Sequence, residues 1–162
     1  MKEIELDAMD LGILEQLQRD ASLSNQDLAL VVHTSAPTCL RRIKRLQLAG
    51  VIERQIAILN PEKLAQALGH GISAIVEITL DRQGAEELAG FEALVLQDVA
   101  VQQCYRVSPG PDFVLIVHCA HMPAYQALAQ RLFTSVANVR NVKAFFSIQR
   151  SKFGAELPLR GD

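Results

Sequence analysis

The chain has no tryptophan and only 5% aromatic residues, which leaves little material for the aromatic platform that grips single-stranded nucleic acid by stacking. Its three cysteines, Cys39, Cys104 and Cys119, are an odd number without the spacing of a small disulfide-bonded scaffold. They fit reduced thiols, mostly buried as small apolar residues. No run approaches the ~18–20 uninterrupted apolar residues that span a bilayer. The opening Met1-Lys2-Glu3-Ile4-Glu5 lacks the apolar segment of a secretory signal, so a cytoplasmic protein without a membrane partner is expected. There is no P-loop, no glycine-rich dinucleotide fingerprint and no Ser/His/Asp order, hence no catalytic residue or cofactor to name and no enzyme expected. An excess of one charge is missing too: 16 Lys and Arg against 18 Asp and Glu give −2. As a bare sum, that argues against nucleic acid.

What is present is a globular composition, 49% apolar and 21% charged over 162 residues, enough for one ordinary domain or two small ones. The first fifty residues read as three short helices. Asp7 and Asp10 stand as cap and third-position acid before Ile13, Leu14 and Leu17. After a break at Asp20–Leu23, Ser24 and Asp27 repeat the signal before Leu28, Ala29, Val31 and Val32. His33 to Ala36 forms a turn. A third helix opens from Ser35 with Pro37 in its first turn and runs to about Ala49, with Gly50 as its stop. Val51 to Leu59 then turns β-like, with Ile52, Ile56 and Ile58 among polar residues.

At about 100° of turn per residue, Cys39, Leu40, Ile43 and Leu46 of the third helix fall on one side, and are expected to pack on the first two helices. Thr38, Arg41 and Arg45 lie opposite, flanked by Arg42 and Lys44. Between Thr38 and Arg54 five bases face a single acid, Glu53, so the near-neutral total conceals a basic block set against a more acidic remainder. A solvated helix surface is the bland reading. The four-residue turn and the support helix in front instead make a helix-turn-helix, whose second helix enters the DNA major groove. Arginine suits guanine O6/N7, and both bases suit phosphate. A following strand pair carrying Arg54 is expected to act as a wing. The candidate DNA-binding residues are therefore Ser35, Pro37, Thr38, Arg41, Arg42, Lys44, Arg45 and Arg54, with double-stranded DNA as the partner.

The second half alternates differently. Strands are expected at Ile72–Leu80, Val99–Val107, Phe113–Cys119 and Val139–Ile148, with helices at Ala85–Leu96 and Met122–Val136. This βαββαβ order is that of a ferredoxin-like domain. In the second strand, Val99, Val101, Tyr105 and Val107 are expected to share a face. The fold class is thus α+β: a winged helix-turn-helix over 1–60, a linker over 61–71, a ferredoxin-like domain over 72–150 and a tail over 151–162. The third strand is apolar on both faces. Phe113, Leu115 and Val117 can meet the helices, which leaves Val114 and Ile116 as candidate dimer-interface residues.

The turn Ser108-Pro109-Gly110-Pro111-Asp112 is most simply a tight hairpin. Free N–H groups around Gly110 also suit a carboxylate, and Asp112 suits an ammonium, the pair an α-amino acid offers. Arg106, Val107, Ser108, Gly110 and Asp112 are the candidate effector-binding residues. His118 and Cys119 point to opposite faces of a strand, so no metal site is expected.

Several stretches together resemble the Lrp/AsnC (feast/famine) regulators: Leu6-Asp7-x-x-Asp10-x-x-Ile13-Leu14-x-x-Leu17, Ser24-Asn25-x-x-Leu28-Ala29, Ser35 with Cys39-Leu40-x-Arg42-x-x-x-Leu46, Gly50-Val51-Ile52 and Leu59-Asn60-Pro61. The βαββαβ half resembles that family's regulation-of-amino-acid-metabolism (ligand-binding) domain. The resemblance implies a homodimer or an octamer on a pseudo-palindromic DNA site. It also implies an amino acid or related effector held between C-terminal domains, with contacts at the Ser108 turn. It assigns Ser35 as cap of the recognition helix and Thr38, Arg41, Arg42 and Arg45 to the DNA face. The chain departs from the family at His33 and Pro109, where glycine is usual. A global, architectural DNA-binding protein without effector control is the alternative, and a non-DNA amino-acid-binding module a more distant one.

Overall fold

In a computed structural model, residues 4–69 and 71–159 are described. Met1–Glu3, His70 of the expected linker, and Arg160–Asp162 of the expected tail lie outside them. The chain divides into two units: one runs to Ile58 and takes in the chain again from Lys152, and the other is Leu59–Ser151.

In the N-terminal unit each helix starts where the sequence supplies a cap. For α1 (Ala8–Arg19) the cap is reciprocal. Asp7 Oδ1 accepts from the N–H groups of Met9 (3.0 Å) and Asp10 (2.9 Å), and Asp10 Oδ2 accepts from Asp7 N–H (3.1 Å). This satisfies donors that an uncapped helix leaves unpaired. Ser24 caps α2 (Asn25–Val31) by accepting from Asp27 N–H at 3.1 Å. Ser35 caps α3 (Ala36–Leu48), which ends at Gly50 with φ +73°. The turn between α2 and α3 holds His33 at φ +55°, a left-handed conformation that glycine takes more readily. Ile13, Leu14, Leu28, Ala29, Cys39 and Leu46 form the core.

That core has a distant contributor. The Gln18 side-chain amide donates to Leu157 C=O at 3.1 Å and its oxygen accepts from Leu157 N–H at 2.6 Å, while Leu159 packs on the helical cluster. Ending the chain after Ser151 is therefore expected to cost this unit about 2 kcal/mol, the order of one leucine's burial plus two exposed hydrogen bonds. Urea unfolding of the shortened chain checks it.

In the C-terminal unit, α4 (Pro61–Leu68) leads into β1 (Ile72–Leu80), α5 (Ala85–Val95), β2 (Val101–Arg106), β3 (Phe113–Cys119), α6 (Met122–Ala129) and β4 (Val139–Phe146). The sheet is antiparallel throughout, in the order β2-β3-β1-β4, as a ferredoxin-like fold requires. Ala74, Val76, Ile78 and Leu80 of β1 alternate inward beside Phe113, Leu115 and Val117 of β3. They pack on Phe91 and Val95 of α5 and on Tyr125 and Leu128 of α6. A π-helical turn at Gln130–Thr134 follows α6 and buries both Leu132 and Phe133.

Five expectations are corrected. Residues 53–60 form no strand, and Ile56 and Ile58 are exposed: an alternating pattern makes a strand only when a neighbouring strand takes its N–H and C=O groups. A register shift between Val101 and Gln103 puts Cys104 on the helix side, so β2 does not keep one face; Val99 and Tyr105 are exposed. The helix from Met122 stops being α-helical at Ala129, and β4 ends at Phe146 rather than Ile148. Leu40 does not join the core with Cys39 and Leu46. It is 43% exposed, because α3 packs on two short helices and buries a narrow arc.

Candidate nucleic-acid interface

The start of α3 is tied down from three sides. Ser35 Oγ donates to Thr38 Oγ1 at 2.9 Å and accepts from Thr38 N–H at 3.4 Å. Asn25 Nδ2, from the first turn of α2, donates to Ala36 C=O at 2.8 Å. Thr34 N–H donates to Ala29 C=O at 2.9 Å and closes the intervening turn. Pro37 sits in the first turn, where its missing N–H costs nothing. The helix is therefore presented N-terminus outward on a fixed support.

Its four cations divide into two pairs. Arg42 Nη1 lies 2.7 Å from Asp7 Oδ2 and 2.9 Å from Asp10 Oδ1, and Arg45 Nη2 is paired with Asp10 Oδ2. Asp10 is fully buried, so these two guanidiniums neutralise a carboxylate that water does not reach. The Asp10 N–H, then Arg42, hold the Asp7 carboxyl below its ordinary range, and the same carboxylates raise Arg42 further. Arg41 and Lys44 are exposed and make no ion pair among the described residues. They share the outward face with Pro37, Leu40 and Leu48, and Arg45 borders it from its pair with Asp10. Arg54 is exposed on the extended segment after the helix.

In the other unit the Ser108 turn joins β2 to β3. Val107 N–H donates to Asp112 C=O at 3.1 Å, and Gly110 takes φ +119°, which only glycine adopts freely. The Asp112 carboxylate is already engaged: Oδ2 accepts from Leu80 N–H at 2.7 Å and Gln83 Nε2 at 3.2 Å, securing the end of β1. Arg106 Nη2 donates to Glu92 Oε2 of α5 at 2.6 Å, and its guanidinium lies over the Phe113 ring. On the sheet face away from the helices, Val114 and Ile116 stand beside Ile75, Tyr105 and Phe145. The last three are exposed.

Comparison with known proteins decides the family. Residues 6–53 match the winged helix-turn-helix DNA-binding model, and residues 73–157 match the Lrp/AsnC ligand binding domain. The Leucine-responsive regulatory protein of Rhizobium meliloti is 33% identical, over 96% of this chain and 97% of that protein. The chain belongs to the Lrp/AsnC family. An AsnC family transcriptional regulator from Agrobacterium tumefaciens has a similar structure, with a TM-score of 0.81 at 32% identity over 95% of this chain and 97% of that one. A transcriptional regulator from Neisseria meningitidis, solved as its L-Met complex, also has a TM-score of 0.81, at 28% identity over 96% and 97% of the two chains.

This Lrp/AsnC protein is thus a DNA-binding transcriptional regulator, and its recognition helix carries the residues expected of it in two states. Ser35, Pro37, Thr38, Arg41 and Lys44 sit on or beside the outward face. Arg42 and Arg45 are held by the support helix. Asp7 and Asp10 are what sequence reading missed. Their sequence pattern signals a cap, but Arg42 and Arg45, one helical turn apart at the rim of the buried arc, also ask for an acidic partner. In the effector region, Val107, Ser108, Gly110 and Asp112 come together in one loop, whereas Arg106 is committed to α5. His118 is exposed and bonds Ser73 Oγ at 3.0 Å, while Cys119 is buried on the opposite face, where burial pushes its thiol up.

Proposed function

We propose that this regulator acts in the cytoplasm as a homodimer or a higher assembly of dimers. It binds a pseudo-palindromic DNA site through paired α3 helices, and its C-terminal domains hold an amino acid or a related small effector. The observation that carries the DNA half is the outward face of α3, where Arg41 and Lys44 stand exposed and without an ion pair among the described residues, beside an N-terminus that Ser35 caps through Thr38. Arg42 and Arg45 set the angle of the helix through Asp10, and the contacts of α3 with DNA fall chiefly to Arg41 and Lys44.

Replacing Arg41 and Lys44 together with alanine is expected to weaken DNA binding about tenfold at moderate salt. It should also flatten the dependence of log affinity on log salt, by about one unit for each phosphate contact removed. Fluorescence anisotropy over a salt series measures both, and unchanged, salt-insensitive binding would reject the assignment.

The effector half is supported by the L-Met complex of the Neisseria meningitidis regulator. Asp112 Oδ2 is engaged by Leu80 N–H and Gln83 Nε2, which leaves Oδ1 for the ammonium of an amino acid, and the loop contributes main-chain N–H and C=O groups around Ser108 and Gly110. A thermal-shift screen of the twenty amino acids is expected to find at least one that raises the melting temperature, since a ligand preferring the native state stabilises it. Silence across the set would favour a regulator without amino-acid control.

A further inference from the structure

The outward face of α3 is less polar than a solvated helix needs, and less cationic than its sequence suggests. Leu48 is 90% exposed and Leu40 43% exposed, and Pro37 lies with them along the same stripe as Arg41 and Lys44. None of the three apolar side chains belongs to the helical core, which takes Cys39 and Leu46 from this helix, with Ile43 packed against it. Of the other two candidates for reading bases, Arg42 is confined between Asp7 and Asp10, and Arg45, half-exposed at the border of the same face, is held by the fully buried Asp10, which it would leave with a single guanidinium on turning outward. The first two turns of the helix, the part that reaches base edges in this motif, therefore offer the guanidinium of Arg41 and the apolar pair Pro37 and Leu40, with the Lys44 ammonium at the start of the third turn.

In the major groove the apolar feature available to such a pair is the C5-methyl group of thymine, and bidentate acceptors for a guanidinium are guanine O6 and N7. We propose that Leu40, with Pro37 beside it, determines specificity by packing on a thymine methyl in each half-site, next to a guanine read by Arg41, while Lys44 neutralises phosphate. This rests on the DNA-binding reading above and adds the chemistry of the bases recognised. It assigns half-site selectivity chiefly to methyl contact, with a single arginine contact per protomer.

The test begins by selecting binding duplexes from a random-sequence pool with the full-length protein. Each thymine of the enriched half-sites is then replaced by deoxyuridine, which removes the methyl and keeps every hydrogen-bonding group. One thymine per half-site should show an affinity loss of about fourfold on replacement, the factor expected for one buried methyl group. The Leu40→Ala protein should bind the thymine and deoxyuridine duplexes equally. Because Leu40 lies on the exposed side, its melting temperature should stay unchanged, which separates the effect from loss of fold. Enriched half-sites without thymine, equal binding of both duplexes by the unmodified protein, or discrimination that survives in Leu40→Ala would each overturn the inference and leave DNA binding intact. Failure to enrich any duplex would overturn the DNA-binding reading itself.

Discussion

Asp10→Ala is expected to destabilise the DNA-binding unit by about 3 kcal/mol, the lower end of what breaking a buried ion pair costs, and to weaken DNA binding as α3 loosens. Asp10 is fully buried and serves three donors: the Asp7 N–H, Arg42 and Arg45. Alanine removes all three contacts at once, leaves Arg45 without its counter-charge and leaves Arg42 with Asp7 alone. The cost sits at the lower end because Arg45, with its side chain 46% exposed, can turn to water. Arg42, at 22%, is confined, and its Nε already lacks a partner. Urea unfolding should show the loss in the transition of this unit, since Asp7, Arg42 and Arg45, the partners of Asp10, all belong to it. Asp10→Asn, which keeps the shape and one acceptor, should lose less. A variant as stable as the parent would mean that the pairs behave like surface salt bridges, which contribute little.

The same cluster gives the unit an acid limit. The Asp7 carboxyl is held below its ordinary value of 3.8 by the Asp10 N–H and by Arg42. A folded-state value lowered in this way adds stability that is fully present above the unfolded value. The contribution is lost as pH falls through the folded one. Unfolding midpoints of this unit are therefore expected to be flat near neutrality and to fall below about pH 4, and Asp7→Asn should remove that part of the slope.

Much of this was legible in the sequence, and the failures share a cause. Caps, turns and alternation depend on residues a few positions apart, so Asp7, Ser24 and Ser35 mark helix starts correctly and β1 buries Ala74, Val76, Ile78 and Leu80 as its alternation demands. What escaped depends on partners far along the chain. A helical wheel orders Leu40 next to Cys39 but does not say how wide an arc the neighbouring helices cover. Ile56 and Ile58 alternate like a strand but have no strand beside them. The slip at Val101/Gln103 moves a single residue and leaves no mark in the composition. The clasp of Gln18 on Leu157 joins positions 139 residues apart. The charge of Arg42 and Arg45 is visible in a sequence, and their pairing with Asp7 and Asp10 of the neighbouring helix is not.

Ile116→Asp is expected to produce monomers and to lower DNA affinity by a hundredfold or more. The side of the sheet away from the helices carries Ile75, Tyr105, Val114, Ile116 and Phe145 as near neighbours, through the register of β1 with β3 and β4 and of β2 with β3. Glu77 and Gln103 lie among them, but an apolar area of this size is uncommon on a monomer, and in the dimer proposed above a second copy related by a two-fold axis would cover it with the same residues. A carboxylate placed there meets its own copy across the axis and must be desolvated beside it, which opposes association on two counts. It does not enter the folded core, because β3 turns Phe113, Leu115 and Val117, not Ile116, toward the helices; the variant should therefore stay folded, with unchanged circular dichroism. Sedimentation velocity reads the assembly directly, and an intact dimer would place the interface elsewhere. The loss of DNA affinity follows from the count of recognition helices. A dimer that has engaged one half-site holds its second helix at a high local concentration over the other, whereas a monomer binds each half-site alone. With Arg41 and Lys44 the α3 cations that make no ion pair among the described residues, a single helix has few cations for phosphate, which is why the expected loss on monomerisation is large.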